Sequence, residues 1–115
     1  MSVQFSKSFP ASMNQACAVL VWSGMSNGDD GAPFELAQYA DRSVQVSGDF
    51  GAGGNLRIEG SLDGENYYVL GDPQGNDLNF ASGKIEAITE LVRYIRPRVT
   101  AGDGTTSLTV TMLAR

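Results

Sequence analysis

The sequence predicts an all-β fold: an antiparallel β-sandwich of jelly-roll-like type, with at most one short helical turn. Three observations carry this. Apolar and polar residues alternate with a period of two in several short segments. Turn signals built from Gly, Asp, Asn and Pro recur about every 8–12 residues, the spacing of short strands folded into a sandwich or barrel. The one stretch with helical spacing is too short to stand as an independent helix.

The elements follow in chain order. Residues 1–15 show no sustained period, yet Phe5 and Phe9 are large apolar residues in a polar setting. Termini are poorly ordered unless tied down. The segment is therefore read as a first edge strand or as an arm that docks on a neighbouring chain, with residues 16–115 as one sandwich domain. Ala16 to Trp22 is a continuous apolar run, the pattern of a strand covered on both faces. Residues 23–33 form a Gly-rich acidic loop, and a short strand follows within Phe34–Tyr39.

Ser43–Phe50 alternates, with Val44, Val46 and Phe50 on one face and Gln45, Ser47 and Asp49 on the other. Asn55–Ser61 alternates again, Leu56 and Ile58 inward and Arg57 and Glu59 outward. The Gly51–Gly54 turn between them predicts a hairpin. Asp63-Gly64 is a tight turn, Asn66–Leu70 a strand, and Gly71–Asn76 a further turn before a short piece at Leu78 and Phe80.

Lys84–Leu91 is ambiguous. Ile85, Ile88 and Leu91 recur at helical spacing, and a single helical turn or an irregular strand fits equally well. Leu91–Thr100 reads as a strand in which Pro97, lacking a backbone donor, favours an edge or a bulge. Ala101–Gly104 predicts a second hairpin turn. Thr105–Leu113 closes the chain with Leu108, Val110 and Met112 inward and Thr109 and Thr111 outward.

Composition narrows function by subtraction. The 115 residues include no His and one Cys, with 8 Lys+Arg against 13 Asp+Glu for a net charge of −5. His is the commonest acid–base side chain near neutral pH and the commonest metal ligand. Cys17 lies inside the apolar run and reads as a small buried hydrophobe; as a nucleophile it would lack a His partner. The net negative charge argues against a surface that grips nucleic acid. No apolar run reaches the roughly 20 residues needed to span a bilayer, and residues 1–15 do not resemble a signal peptide. A reducing cytoplasm is the expected site of folding.

Candidate chemical motifs are weak. Gly51–Gly54 follows a strand as a phosphate loop would, but a strand comes next where a helix is required. Asn27–Gly31 and Gly71–Asp77 are acidic loops without the alternating oxygen ligands and terminal Glu of a calcium loop; turn capping is the simpler reading. Glu86 and Glu90 would form a carboxylate pair only on a helix, and a solvated face is the default. No catalytic residue, cofactor site or metal site is assigned.

Charge is unevenly spread. Residues 29–77 hold ten acids against Arg42 and Arg57, a net of −8, whereas residues 84–115 carry a net of +2. Alternation places Tyr94, Arg96 and Arg98 on one strand face. They are either paired with the acidic middle of the chain or form a contact surface, because Arg and Tyr bury well at interfaces. With Phe5 and Phe9 they make up the candidate inter-subunit contacts.

Two segments, Ile58–Leu70 and Arg93–Thr100, resemble the paired signature of discoidin-like (F5/8 type C) jelly-roll modules. There a strand ending in Ser-x-Asp-Gly leads to an aromatic position and a later Arg-Tyr-Ile-Arg strand packs beside it. Tyr67 stands near the position those modules give to Trp, and their terminal Cys residues are missing. The whole chain resembles small virion proteins encoded among the head genes of tailed bacteriophages, through Ala40–Gly48, Gly51–Gly54, Asp72–Asn76 and Tyr94–Thr111. That resemblance implies a non-enzymatic capsid decoration (cement) protein on the virion surface. Its partners would be the major capsid protein or another virion protein and copies of itself, as trimer or dimer, with neither nucleic acid nor membrane. The alternatives are another small head or tail component, or a carbohydrate-binding module using Trp22, Tyr39, Tyr67 or Tyr68. A hydrolase with paired carboxylates is a further, weaker reading.

Overall fold

In the computed structural model, residues 1–9, 17–36 and 38–115 are described. They contain twelve strands and no helix: β1 (Ser2–Val3), β2 (Phe5–Ser8), β3 (Ala18–Met25), β4 (Asp30–Gly31), β5 (Phe34–Glu35), β6 (Arg42–Asp49), β7 (Asn55–Ser61), β8 (Tyr68–Val69), β9 (Asn79–Phe80), β10 (Lys84–Ile88), β11 (Tyr94–Ala101) and β12 (Ser107–Ala114). A seven-stranded sheet runs β1-β4-β11-β7-β8, with β5 also on β11 and β9 also on β7; a five-stranded sheet runs β10-β6-β12-β3-β2. All described pairings are antiparallel except β1 with β4. The expected boundary between residues 15 and 16 lies outside the described residues.

From β3 onward the chain alternates between the sheets: β3, then β4 and β5 opposite, β6, then β7 to β9 opposite, β10, β11, β12. That is the jelly-roll path, four strand positions per sheet, with two of them broken into short pairs. The core fills from both inner faces, with Leu20, Trp22, Val110 and Met112 meeting Leu56, Ile58, Phe80 and Ile95, all without solvent exposure. Each such side chain contributes about 1.5–3 kcal/mol on burial. The indole N–H of Trp22 donates to the Ala32 carbonyl at 3.0 Å, so its one polar group is satisfied.

Both predicted hairpins are corrected. β6 and β7 lie in different sheets, as do β11 and β12, so Gly51–Gly54 and Ala101–Gly104 are corners between layers. The corners interlock. Ala52 N–H donates to Asp103 at 2.8 Å, and the Thr106 hydroxyl donates to the Phe50 carbonyl at 2.9 Å. Gly51 has φ +69°, and a Cβ there would lie 2.2 Å from an Asp103 carboxylate oxygen.

Three local readings change as well. Lys84–Ile88 is a strand paired along its length with β6. Strand β11 is internal, not an edge. Pro97 falls between Ile95, which pairs with β5, and Arg98, which pairs with β4, so its missing donor sits where the neighbouring strand is interrupted. Strand β3 is covered on one face only, since Leu20 and Trp22 are buried while Val19 and Val21 are half-exposed.

Candidate functional surfaces

Alternation along β11 turns Tyr94, Arg96 and Arg98 to the outside of the seven-stranded sheet, opposite Ser61, Glu59 and Arg57 of β7. Glu59 has no solvent exposure. Its carboxylate accepts from Arg57 and, at 3.0 Å, from Arg96; Arg98 approaches to 3.9 Å and also pairs with Asp30 at 3.3 Å. The Tyr67 ring lies 3.9 Å above the Arg96 guanidinium. Burial pushes the Tyr67 hydroxyl above its ordinary pKa, partly opposed by Arg96. A buried carboxylate is tolerable only when paired and hydrogen-bonded. This patch meets that requirement within one chain.

The other two sequence candidates lie elsewhere. Phe5, on edge strand β2, packs edge-on against Trp22 and Phe34 with centroids 5.5 Å from each. Phe9 remains 42 % exposed, with the Lys7 ammonium 5.0 Å from its ring. The five candidates thus divide between two places in the fold.

Sequence reasoning missed an apolar groove at one end of the sandwich. A cavity of about 410 Å³ lies between the β7–β8 turn and the side chains of Glu90 and Val92, and Leu62 and Tyr68 on its rim are each 71 % exposed. Its walls are pinned. The Asp63 carboxylate accepts from the backbone N–H groups of Glu65 and Asn66, which holds it well below the usual carboxylate range. Glu90 accepts from Gly71 N–H at 2.7 Å. The available signal was Leu62, an apolar residue inside a Ser-Leu-Asp-Gly turn.

A third surface is the outside of the five-stranded sheet. Register builds two complete rows across all five strands. One is Ala87, Ser43, Leu113, Val19 and Ser8; the other is Ile85, Gln45, Thr111, Val21 and Ser6. Neither row holds a charge. Ile85 is 65 % exposed and Leu113 44 %.

Among the described residues no group of three or more His, Cys, Asp or Glu could hold a metal ion. Cys17 is buried. Glu86 pairs with Lys84 at 3.5 Å, and the strand conformation of 84–88 removes the helical Glu86–Glu90 pair. Asp72 caps its own loop, accepting from Gln74 and Asn76 N–H at 2.9 Å. Of the four candidate sugar-stacking rings, Trp22 and Tyr39 are buried, Tyr67 is half-buried under Arg96, and Tyr68 stands free in the groove.

No family model matches the chain, and no curated protein matches it. Among solved structures it is similar to the SPBc2 prophage-derived protein YomS, with a TM-score of 0.67 at 9 % identity over 87 % of this chain and 95 % of that one. The two chains share a fold.

Proposed function

We propose that this protein is a non-enzymatic structural part of a tailed-phage particle, a decoration protein that binds the assembled head through surface contacts. The observation that carries the reading is the jelly roll it shares with a prophage-derived protein over nearly the full length of both chains. The described surfaces support it: an apolar groove and a charge-free sheet face are equipment for binding protein. A protein that binds the assembled lattice and not its separate parts stabilises it by mass action and needs no catalytic groups. The net charge of −5 favours the outside of a shell over contact with packaged DNA.

Mass spectrometry of purified virions tests this directly. The protein should co-purify with intact particles and bind heads stripped of it; particles that lack it overturn the reading. Tyr68 sustains a second reading, binding of a sugar ring in the groove beside Asp63 and Asn66. A glycan array should then give a hit that Tyr68→Ala abolishes, and an array without hits ends that alternative.

A further inference from the structure

We propose that the uncharged outer face of the five-stranded sheet is where a second copy of this chain docks, sheet against sheet across a twofold axis. The inference gives a place to the self-association that the sequence resemblance implies, and it holds whether or not the protein sits on a phage head. Three observations argue it.

The first is charge. The chain carries −5, so two copies repel at most approaches. The outward positions of the seven-stranded sheet include Asp30, Glu35, Arg57, Glu59, Arg96 and Arg98. The two full rows of the other face hold Ser, Thr, Gln and aliphatic residues alone, with charge only at the ends: Asp49 beyond one, Asp41 with Arg115 beyond the other. In a face-to-face pair related by a twofold, these rows meet themselves with no like charges opposed.

The second is strand β3. Its apolar run is the pattern of a strand covered on both sides, yet in the single chain Val19 and Val21 stay half-exposed beside Leu113 and Thr111. A second sheet supplies the missing cover.

The third is that the edges of this sheet discourage the competing geometry. Edge strand β2 turns Lys7 toward the inner side, and edge strand β10 does the same with Lys84 and Glu86. Inward-pointing charges on edge strands are a device against edge-to-edge addition. What remains open is the face. Three strands of eight residues, one of five and one of four, at about 3.3 Å per residue and about 4.8 Å apart, give a flat area of roughly 500 Å² per copy, at the small end for specific interfaces, so a weak, concentration-dependent dimer is expected.

Sedimentation equilibrium on the purified full-length chain over a concentration series tests this. Wild type should shift toward twice the monomer mass as concentration rises. Thr111→Lys, at the centre of the face, and Ile85→Lys, at an exposed position that cannot unfold the sheet, should each weaken association about tenfold or more. Their melting temperatures should stay near wild type. Raising salt should leave the wild-type dimer intact or tighten it, because screening relieves the repulsion between the copies. A chain that stays monomeric to millimolar concentration overturns the proposal. So does a dimer that survives both Lys variants but is lost on Leu62→Ser, which would place the contact in the groove.

Discussion

On the seven-stranded sheet a carboxylate without solvent exposure sits among three guanidinium groups, one of them stacked on an aromatic ring. On the five-stranded sheet two cross-strand rows of five residues carry no charge at all. Both faces are outward positions of the same kind of strand, but they differ in what is left unsatisfied. The Arg–Glu network closes on itself, leaving few unpaired groups to offer a partner. The other face has its backbone satisfied by neighbouring strands, yet its aliphatic groups still meet water. Charge density is therefore a poor guide to which face is left with unmet requirements.

The largest expected effect comes from breaking the closed network. Glu59→Ala leaves Arg57 and Arg96 without their shared acceptor. Breaking a buried pair by removing one partner costs about 3 kcal/mol or more. Thr111→Ala, at the centre of the opposite face, should change stability by less than about 0.5 kcal/mol, as surface substitutions do. Urea unfolding of both variants beside wild type measures the contrast. Equal losses would mean that the two faces do not differ as described.

The interlocked corners join the two sheets, and their response to acid follows from Asp103. Its carboxylate accepts from Ala52 N–H and from the backbone and hydroxyl of Thr105, which lowers its pKa to about 2. A carboxylate depressed in the folded state contributes stability that is fully present above its unfolded value, near 4, and is lost as pH falls through about 2. Asp103→Asn should therefore be less stable than wild type at pH 7. Its stability should also fall less steeply between pH 4 and pH 2, with Asp63 supplying a remaining slope. Thermal melts across that range check it, and parallel curves for the two proteins would contradict the assignment.

Much of this fold was legible in the sequence, and the gaps have physical causes. Alternation placed Val44, Val46, Leu56, Ile58, Leu108, Val110 and Met112 inward, as the structure has them. It also placed Glu59 outward, which is correct for the strand but does not reveal burial. The cover comes from Arg96, 37 residues away, and from Tyr67 above it. The hairpins failed because alternation fixes which side of a strand faces the core and not which strand lies beside it. A glycine turn permits a hairpin or a corner equally. The charge-free face was legible residue by residue in Gln45, Thr109 and Thr111. Its extent became visible only when register set Ile85, Val21 and Leu113 among them.

The smallest expected effect lies inside the charged face and sharpens what closure means there. Arg98 contributes two long contacts, 3.9 Å to Glu59 and 3.3 Å to Asp30, and its side chain is 44 % exposed. Arg96 bonds Glu59 at 3.0 Å beneath Tyr67, with a side chain only 20 % exposed. An exposed pair contributes about 0–1 kcal/mol, because water and salt screen it and two long side chains must be ordered to make it. Arg98→Gln should therefore cost less than about 1 kcal/mol, and that cost should vanish in high salt. Arg96→Gln should cost more and keep most of its penalty there, since Glu59 would lose a close donor that water cannot replace. If the two variants lose the same stability and respond to salt alike, the face is an ordinary screened surface and Glu59 is held by its strand alone.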